Sequence, residues 1–381
     1  MIPHLLQIWH STFGMERPAV IVRTPGRVNI IGEHTDYNDG WVMPGAIDRY
    51  LVVMMKRHDG ANHHWIADDL RDQVIFNIHD PNTSLPRWAE YIAGVIRLYT
   101  PEIGPVQLLV SGNLPVGAGL SSSSALVCGL LMALRELTGK QDDHETIALT
   151  ASRFERKITG LQGGIMDQFA IMLSRPGQVM LLDCKSTTYQ FLPAEIPGCR
   201  WLLINSGVKH TLVDSDYNQR EAECREALVH IRNQVQDYTS LRDVPLAMVS
   251  VFDLPDILRK RVQYVLEENE RVHQMAAALE QQQPEVAGKL LSQSHEGLSH
   301  LYEVSCTELD SLAMFTKQHP DAYGGRMMGG GFGGCLLCLI RADGLERFLT
   351  DVTSFYAGQF GFEPTPIPFE FGQGIHLIET T

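Results

Sequence analysis

The sequence contains no repeat, no low-complexity tract and no long run of like charge, so its organisation has to be read from periodicity and glycine punctuation. No apolar stretch reaches the ~18 residues that a membrane-spanning helix needs. The opening residues, MIPHLLQIWHSTFGMERPAV, lack a basic segment followed by an unbroken apolar core and do not read as a secretory leader. Positive charge is scarce: 31 Lys and Arg against 45 Asp and Glu leave a formal charge of -14. That balance argues against a nucleic-acid or anionic-membrane surface, because either partner needs a basic patch to displace counterions. An anionic ligand must therefore be held by local geometry. No Gly-x-x-x-x-Gly-Lys-Ser/Thr occurs, which excludes the ordinary P-loop NTPases. The seven cysteines are odd in number and scattered, as expected of reduced thiols in a cytoplasmic protein. Cys335 and Cys338 form a Cys-x-x-Cys inside the apolar run CLLCLI, with no second pair or nearby histidines. They read as core packing rather than a metal or redox site.

What is present is an ordinary globular composition. The 381 residues are 44% hydrophobic and 20% charged, enough for a full core and roughly two or three domains. Apolar, β-branched runs at VIVRT, RYLVVMM, QVIFNIH and VQLLVSG predict strands. Between the last two, RWAEYIAGVIRLY puts Trp88, Ile92, Val95 and Tyr99 on one helical face. Helices are predicted near 121–138 and 143–158, then strands at QVMLLD and CRWLLIN. Residues 214–319 change character to long charged segments at helical spacing, which suggests one domain over 1–205 and a second over 206–381. A glycine-rich stretch then leads to a strand, a helix near 343–357 and an extended tail able to pack back on the first domain. This is an α+β pattern and not a regular βαβ array.

Three segments carry the chemistry. In the first, PGRVNIIGEHTDYN from Pro25 to Asn38, a strand interrupted by Arg27 ends in Glu33, His34, Thr35 and Asp36. Carboxylates only accept hydrogen bonds and a histidine adds a donor, so the cluster suits a polyol; a solvated turn is the plainer alternative. In the second, NLPVGAGLSSSSA from Asn113 to Ala125, glycines allow the backbone to close on a ligand where a helix begins, with its free N–H groups outward. That describes a phosphate cradle or, equally, a linker capping a helix. In the third, five glycines in six positions from Gly329 to Gly334 imply unusual backbone angles, close backbone approach or a hinge. This run precedes a strand, unlike a dinucleotide fingerprint.

Together and in this order, the segments resemble the three signature motifs of the GHMP small-molecule kinases, and GRVNIIGEHTDYN resembles the galactokinase signature within them. GGIMDQ at 163–168 and SGVKHTLVDSDYNQR at 206–220 agree. The resemblance runs over nearly the whole chain. It implies a two-domain fold with mixed β-sheets flanked by helices and the active site in the cleft between domains. It also implies transfer of phosphate from ATP to the C1 hydroxyl of α-D-galactose, giving galactose 1-phosphate and ADP, the entry step of galactose catabolism. By the same resemblance Asp167 and Arg27 are the catalytic pair. Glu33, His34, Thr35, Asp36, Gly164 and Tyr217 belong to the sugar site, with Asp167 also lining it. Gly117, Ala118, Gly119, Leu120, Ser121, Ser122 and Ser123 wrap the nucleotide phosphates, and Ser123 with Glu155 holds Mg²⁺.

Phosphoryl transfer needs alignment and charge stabilisation more than covalent help. Asp167 is expected to accept the C1 hydroxyl proton while Arg27 orients it and neutralises the transferring group. A guanidinium weakens a neighbouring carboxylate as a base, but a loose transition state tolerates a weak one. Kinases of N-acetylgalactosamine or arabinose fit the same hydroxyl-binding residues, because the pocket walls set specificity. A non-catalytic galactose sensor is disfavoured by the intact serine loop and catalytic pair. No oligomeric state is written in the sequence, and a monomer is compatible with it. Ser124 stands where the family commonly has alanine and is expected to cap the helix or meet solvent. The tail FEFGQGIHLIETT resembles the family's only loosely.

Overall fold

The computed structural model describes all residues except 79, 81, 82, 116, 209–212, 380 and 381, and the side chains of all but these and 213–215. The stretch 209–212 of the SGVKHTLVDSDYNQR motif and the last residue of QVIFNIH therefore lie outside the described residues. The first half builds α1 (Ile2–Phe13), β1 (Val20–Asn29), β2 (Trp41–Val42), β3 (Pro44–Arg57), β4 (His63–Ala67), β5 (Asp72–Phe76), α2 (Arg87–Tyr99) and β6 (Val106–Gly112). It continues with α3 (Ser122–Thr138), α4 (His144–Thr159), α5 (Met166–Leu173), β7 (Gln178–Asp183), β8 (Thr188–Pro193) and β9 (Cys199–Asn205). The charged region then forms α6 (Val213–Gln234), α7 (Asp256–Glu280), α8 (Pro284–His300) and α9 (Thr307–Gln318). The chain closes with β10 (Ala322–Met328), β11 (Cys335–Arg341), α10 (Leu345–Phe360), β12 (Thr365–Pro368) and β13 (His376–Leu377).

These strands make a mixed six-stranded sheet ordered β13-β1-β3-β6-β4-β5, a four-stranded sheet ordered β10-β11-β9-β12 and a three-stranded sheet ordered β2-β7-β8. Among the described residues only the β4–β6 pair is parallel. The expected α+β architecture of mixed sheets flanked by helices is therefore the observed one. Two strands join the halves: β9 pairs with β11 and β12 of the second half, and β13 returns to β1. The last strand, β13, packs back on the first half by pairing antiparallel with β1.

One apolar core lies under the six-stranded sheet, with α3 at its centre; a second fills the space between the four-stranded sheet and α6, α7, α9 and α10. Strand β11 is buried on both faces, so Cys335 belongs to the first core and Cys338 to the second, each with no exposed surface. Burial pushes both thiols up to about 12, consistent with inert packing. Helix α4 shows how local signals set an element. Asp143 accepts from the Thr146 N–H at 2.8 Å as N-cap, and Gly160 ends the helix in the left-handed region. Among the described residues no helix is long and apolar enough to cross a membrane.

Candidate active site

Arg27 reaches the site through a bulge. The β1–β3 register slips by two between Pro25 and Arg27, because Ile47, Asp48 and Arg49 of β3 stand opposite Gly26 alone; proline cannot donate to the ladder there, and the extra residues bend the pair. A Cβ on Gly26 would lie 2.9 Å from the Leu120 carbonyl oxygen and 2.4 Å from Leu114, so only glycine lets the 117–121 loop lie against the strand. The Arg27 guanidinium, 4% exposed, donates from Nη1 to the Gly119 carbonyl at 2.6 Å and from Nε to Asp167 Oδ1 at 2.6 Å. Burial opposes its charge, but the Asp167, Glu33 and Asp36 carboxylates outweigh that cost and hold its pKa above the ordinary arginine value.

Asp167 stands in the first turn of α5, yet its oxygens do not cap that helix. Oδ1 takes the Arg27 bond and Oδ2 accepts from the Ser121 hydroxyl. Ser121 precedes α3 with φ 57°, a left-handed conformation that turns its side chain back to the carboxylate. A carboxylate offers about four lone-pair sites, so two donors orient Asp167 and leave capacity for a third.

The turn after β1 supplies the acidic cluster. Glu33, 1% exposed, accepts from Asn29, from Arg326 at 2.9 Å and from the Gly329 N–H. Asp36 packs so closely on Gly164 that a Cβ there would fall 2.2 Å from Asp36 Oδ2. Burial first, then Asp167 and Glu33, push the Asp36 carboxyl up to about 7. His34 holds φ 60° and its Nδ1 lies 2.8 Å from the Tyr37 hydroxyl. The Tyr217 ring packs 5.2 Å from that of His34. Thr35 was expected in the sugar site, and the structure turns it away: its hydroxyl lies 2.8 and 2.7 Å from the Gly32 and Trp41 carbonyl oxygens, and it has no exposed surface.

Across one cavity of about 480 Å³ these groups face the 117–123 loop, the start of α3 and the glycines before β11. Gly117 and Gly119 adopt φ 77° and 73°, and a Cβ on Gly119 would meet the Met328 carbonyl at 3.4 Å. The two glycine segments thus approach backbone to backbone, which answers the hinge alternative with close approach. Leu120, Ser121, Ser122 and Ser123 line the cavity with Gly117 and Gly119, beside the positive end of a 17-residue helix. Ala118 does not; it points into the first core with no exposed surface.

Glu155 of α4 reaches the same cavity, accepting from Gln168 at 2.6 Å and from the Tyr91 hydroxyl at 3.1 Å. Burial raises its pKa, while Ser124, Gln168 and Ser123 pull the other way. Ser124 therefore neither caps the helix nor meets solvent. It is 3% exposed, and its Oγ lies within reach of Gln168 at 3.4 Å, because this face of α3 packs on α5 and α4. The structure also adds Arg326, fully buried between the halves, whose Nε donates to the Ile30 carbonyl at 2.7 Å. Its only trace in the sequence is a lone cation among glycines, GGRMMGGG.

A serine-lined helix start facing a clustered polyol site in the cleft of two α+β halves defines a small-molecule kinase of the GHMP superfamily. Residues 90–175 match the GHMP kinases N terminal domain and 275–358 the GHMP kinases C terminal domain, while 8–57 match the galactokinase galactose-binding signature. The chain belongs to the galactokinase family. A galactokinase of Thermotoga neapolitana is 37% identical over 360 residues, 94% of this chain and 99% of its own. One of Thermosipho africanus is 37% identical over 361 residues, with the same coverage. The crystal structure of Lactococcus lactis galactokinase complexed with galactose superposes with a TM-score of 0.93 at 28% identity, over 98% of this chain and 99% of that one. Methanococcus jannaschii mevalonate kinase, at 17% identity and TM-score 0.66 over 93% of this chain and 98% of its own, shares the fold.

Proposed function

We propose that this chain transfers the terminal phosphoryl group of ATP to the C1 hydroxyl of α-D-galactose, releasing galactose 1-phosphate and ADP. The observation that carries this is Asp167, held on one oxygen by Arg27 and on the other by Ser121. That arrangement sets a proton acceptor where the serine loop meets the sugar cluster. Asp167 takes the hydroxyl proton as the new O–P bond forms. Arg27 keeps the carboxylate in place and offsets negative charge on the group in flight. Loop residues 117 and 119–123 hold the phosphates through backbone N–H groups and serine hydroxyls. Glu33, His34, Asp36, Gly164 and Tyr217 surround the sugar, Glu33 chiefly by bracing the turn.

A divalent cation fits beside Ser123 and Glu155, two hard oxygen donors on one cavity wall, and Mg²⁺ ordinarily completes its shell with water and phosphate oxygens. Such an ion supplies neutralisation of phosphate charge. The division into 1–205 and 206–381 is proposed in the same sense: the second apolar core, drawn almost wholly from residues after 205, is in its favour, while β9, inside 1–205, pairs in the second sheet. Seven free cysteines support a reducing, cytoplasmic location.

The test is a panel of free sugars with ATP, read by ³¹P and ¹³C NMR of the product. Galactose giving a C1 phosphate ester is the expected result. Preferential turnover of N-acetylgalactosamine or arabinose, phosphate on another carbon, or binding of galactose without turnover would each replace this assignment.

A further inference from the structure

His34 begins a chain of hydrogen bonds that leads away from the cavity. Its Nδ1 lies 2.8 Å from the Tyr37 hydroxyl, that hydroxyl 2.8 Å from the Tyr302 hydroxyl, and the latter 3.1 Å from Cys224 Sγ. Among the described residues the opposite ring nitrogen, Nε2, has no hydrogen-bond partner; it is buried, on a residue 3% exposed that lines the cavity. An orphaned polar atom in a binding cavity marks where a ligand atom is to sit.

Every member of the chain carries a single hydrogen. Burial, then the Arg220 charge, pushes the His34 imidazole down to about 3, so the ring is neutral. Burial first holds the Tyr37 and Tyr302 hydroxyls well above the ordinary tyrosine value and pushes the Cys224 thiol up to about 11. In such a chain the hydrogens turn together, either all toward His34 or all away from it. A phenol is a stronger donor than a neutral imidazole N–H, and an imidazole nitrogen a stronger acceptor than a phenol oxygen, so the first bond favours Tyr37 donating. At the far end sulfur is weak in both roles and opposes little. The Gly330 carbonyl also favours a proton on the ring, though it makes no hydrogen bond to Nε2.

We propose that Tyr37 and Tyr302 are positioning residues that fix the tautomer of His34, so that the ring presents an Nε2–H donor to a sugar oxygen. The proposal rests on the sugar-site reading above. The Asp167 carboxylate accepts from a sugar hydroxyl, and His34 supplies a donor on another side. The sugar oxygen at His34 is therefore read as an acceptor, a distinction that rejects a substrate lacking that oxygen.

The decisive measurement needs no turnover: long-range ¹H–¹⁵N correlation spectra of the full-length protein, with the His34 ring assigned by its loss in His34→Gln. A pyridine-like Nδ1 and a pyrrole-like Nε2 are expected, and Tyr37→Phe should convert the ring to a tautomer mixture. The opposite tautomer in the unmodified protein overturns the proposal, even if sugar turnover is as expected. Kinetically, Tyr37→Phe should raise the sugar KM about five-fold with little change in kcat or in the KM for ATP, the cost of one neutral hydrogen bond. Among deoxy and deoxyfluoro galactoses, one position should tolerate fluorine, an acceptor, better than hydrogen, and Tyr37→Phe should lose that preference. If Tyr37→Phe fails to fold, Tyr302→Phe carries the same comparisons. An unaltered His34 spectrum in whichever of the two folds would overturn the idea as well.

Discussion

Asp167 and Arg27 make the residue-scale argument testable, because one is oriented by the other. Asp167→Asn keeps a polar group of similar size for Arg27 and Ser121 but removes the proton acceptor. It should lower kcat by at least about a hundred-fold with Tm within a few degrees of the parent, measured by ADP release and by calorimetry. A kcat within ten-fold would reduce Asp167 to a spectator. Asp36 makes a different prediction. Its carboxyl is pushed up to about 7 from an ordinary value near 3.8 by burial, Asp167 and Glu33, so the folded state binds a proton more tightly than the unfolded chain. Stability from this group is full below pH 4 and is lost as pH rises through about 7. Asp36→Asn removes that penalty and should raise Tm by a few degrees at pH 8 and by less at pH 5, while the sugar KM rises. A Tm gain that is the same at both pH values would show that charge is not the cause. The residue types of this cluster were legible in EHTD, but which members face the cavity was not. Thr35 and Asp36 are neighbours in sequence, and only the fold of the turn sends one hydroxyl to backbone carbonyls and one carboxylate to the cleft.

At the scale of elements, the strongly periodic ones were legible. The predicted helices near 121–138 and 143–158 are α3 and α4, and RWAEYIAGVIRLY is α2 with Ile92 and Val95 in the core. Segments without a polar face were not. Helix α5, MDQFAIML, is short and apolar on nearly every side because it is buried among α3, α4 and the first sheet, so no amphipathic period announces it. Strand β4, HHWIA, hides behind two histidines, while β8 offers only a few apolar positions. The missed helix is the one that carries Asp167, and its approach depends on a glycine. Gly164→Ala would force a Cβ to within 2.2 Å of the Asp36 carboxylate. It should raise the sugar KM at least ten-fold while leaving ATP binding, followed by calorimetric titration, unchanged. An unaltered sugar KM would mean that Asp36 does not have to stay where it is.

Across the whole molecule, one buried pair ties the halves. The Arg326 guanidinium meets the Glu33 carboxylate at 2.9 Å, both at 2% side-chain exposure or less, and donates to the Asn29, Ile30 and Met327 carbonyls. Removing one partner strands the other charge. Arg326→Met should therefore cost about 3–5 kcal/mol in denaturant unfolding. Glu33→Gln combined with Arg326→Met should recover part of this, but not the bonds to Asn29 and Ile30. A single variant as stable as the parent would show that the pair does not bear on folding. None of this was legible in the sequence, since 293 positions separate the two residues.

The sequence alone determined the fold class, most of the long elements and the three segments that meet in the cleft, because periodicity, glycine placement and polar clusters are local properties of the chain. Tertiary structure alone decided which side chains face the cavity, that Ser121 shares Asp167 with Arg27, and that Arg326 and the two tyrosines stand behind the sugar turn. Those facts depend on contacts between distant residues, set by how the bulge of β3 against β1, the burial of α5 and the return of β13 pack the halves together, and no local pattern encodes them.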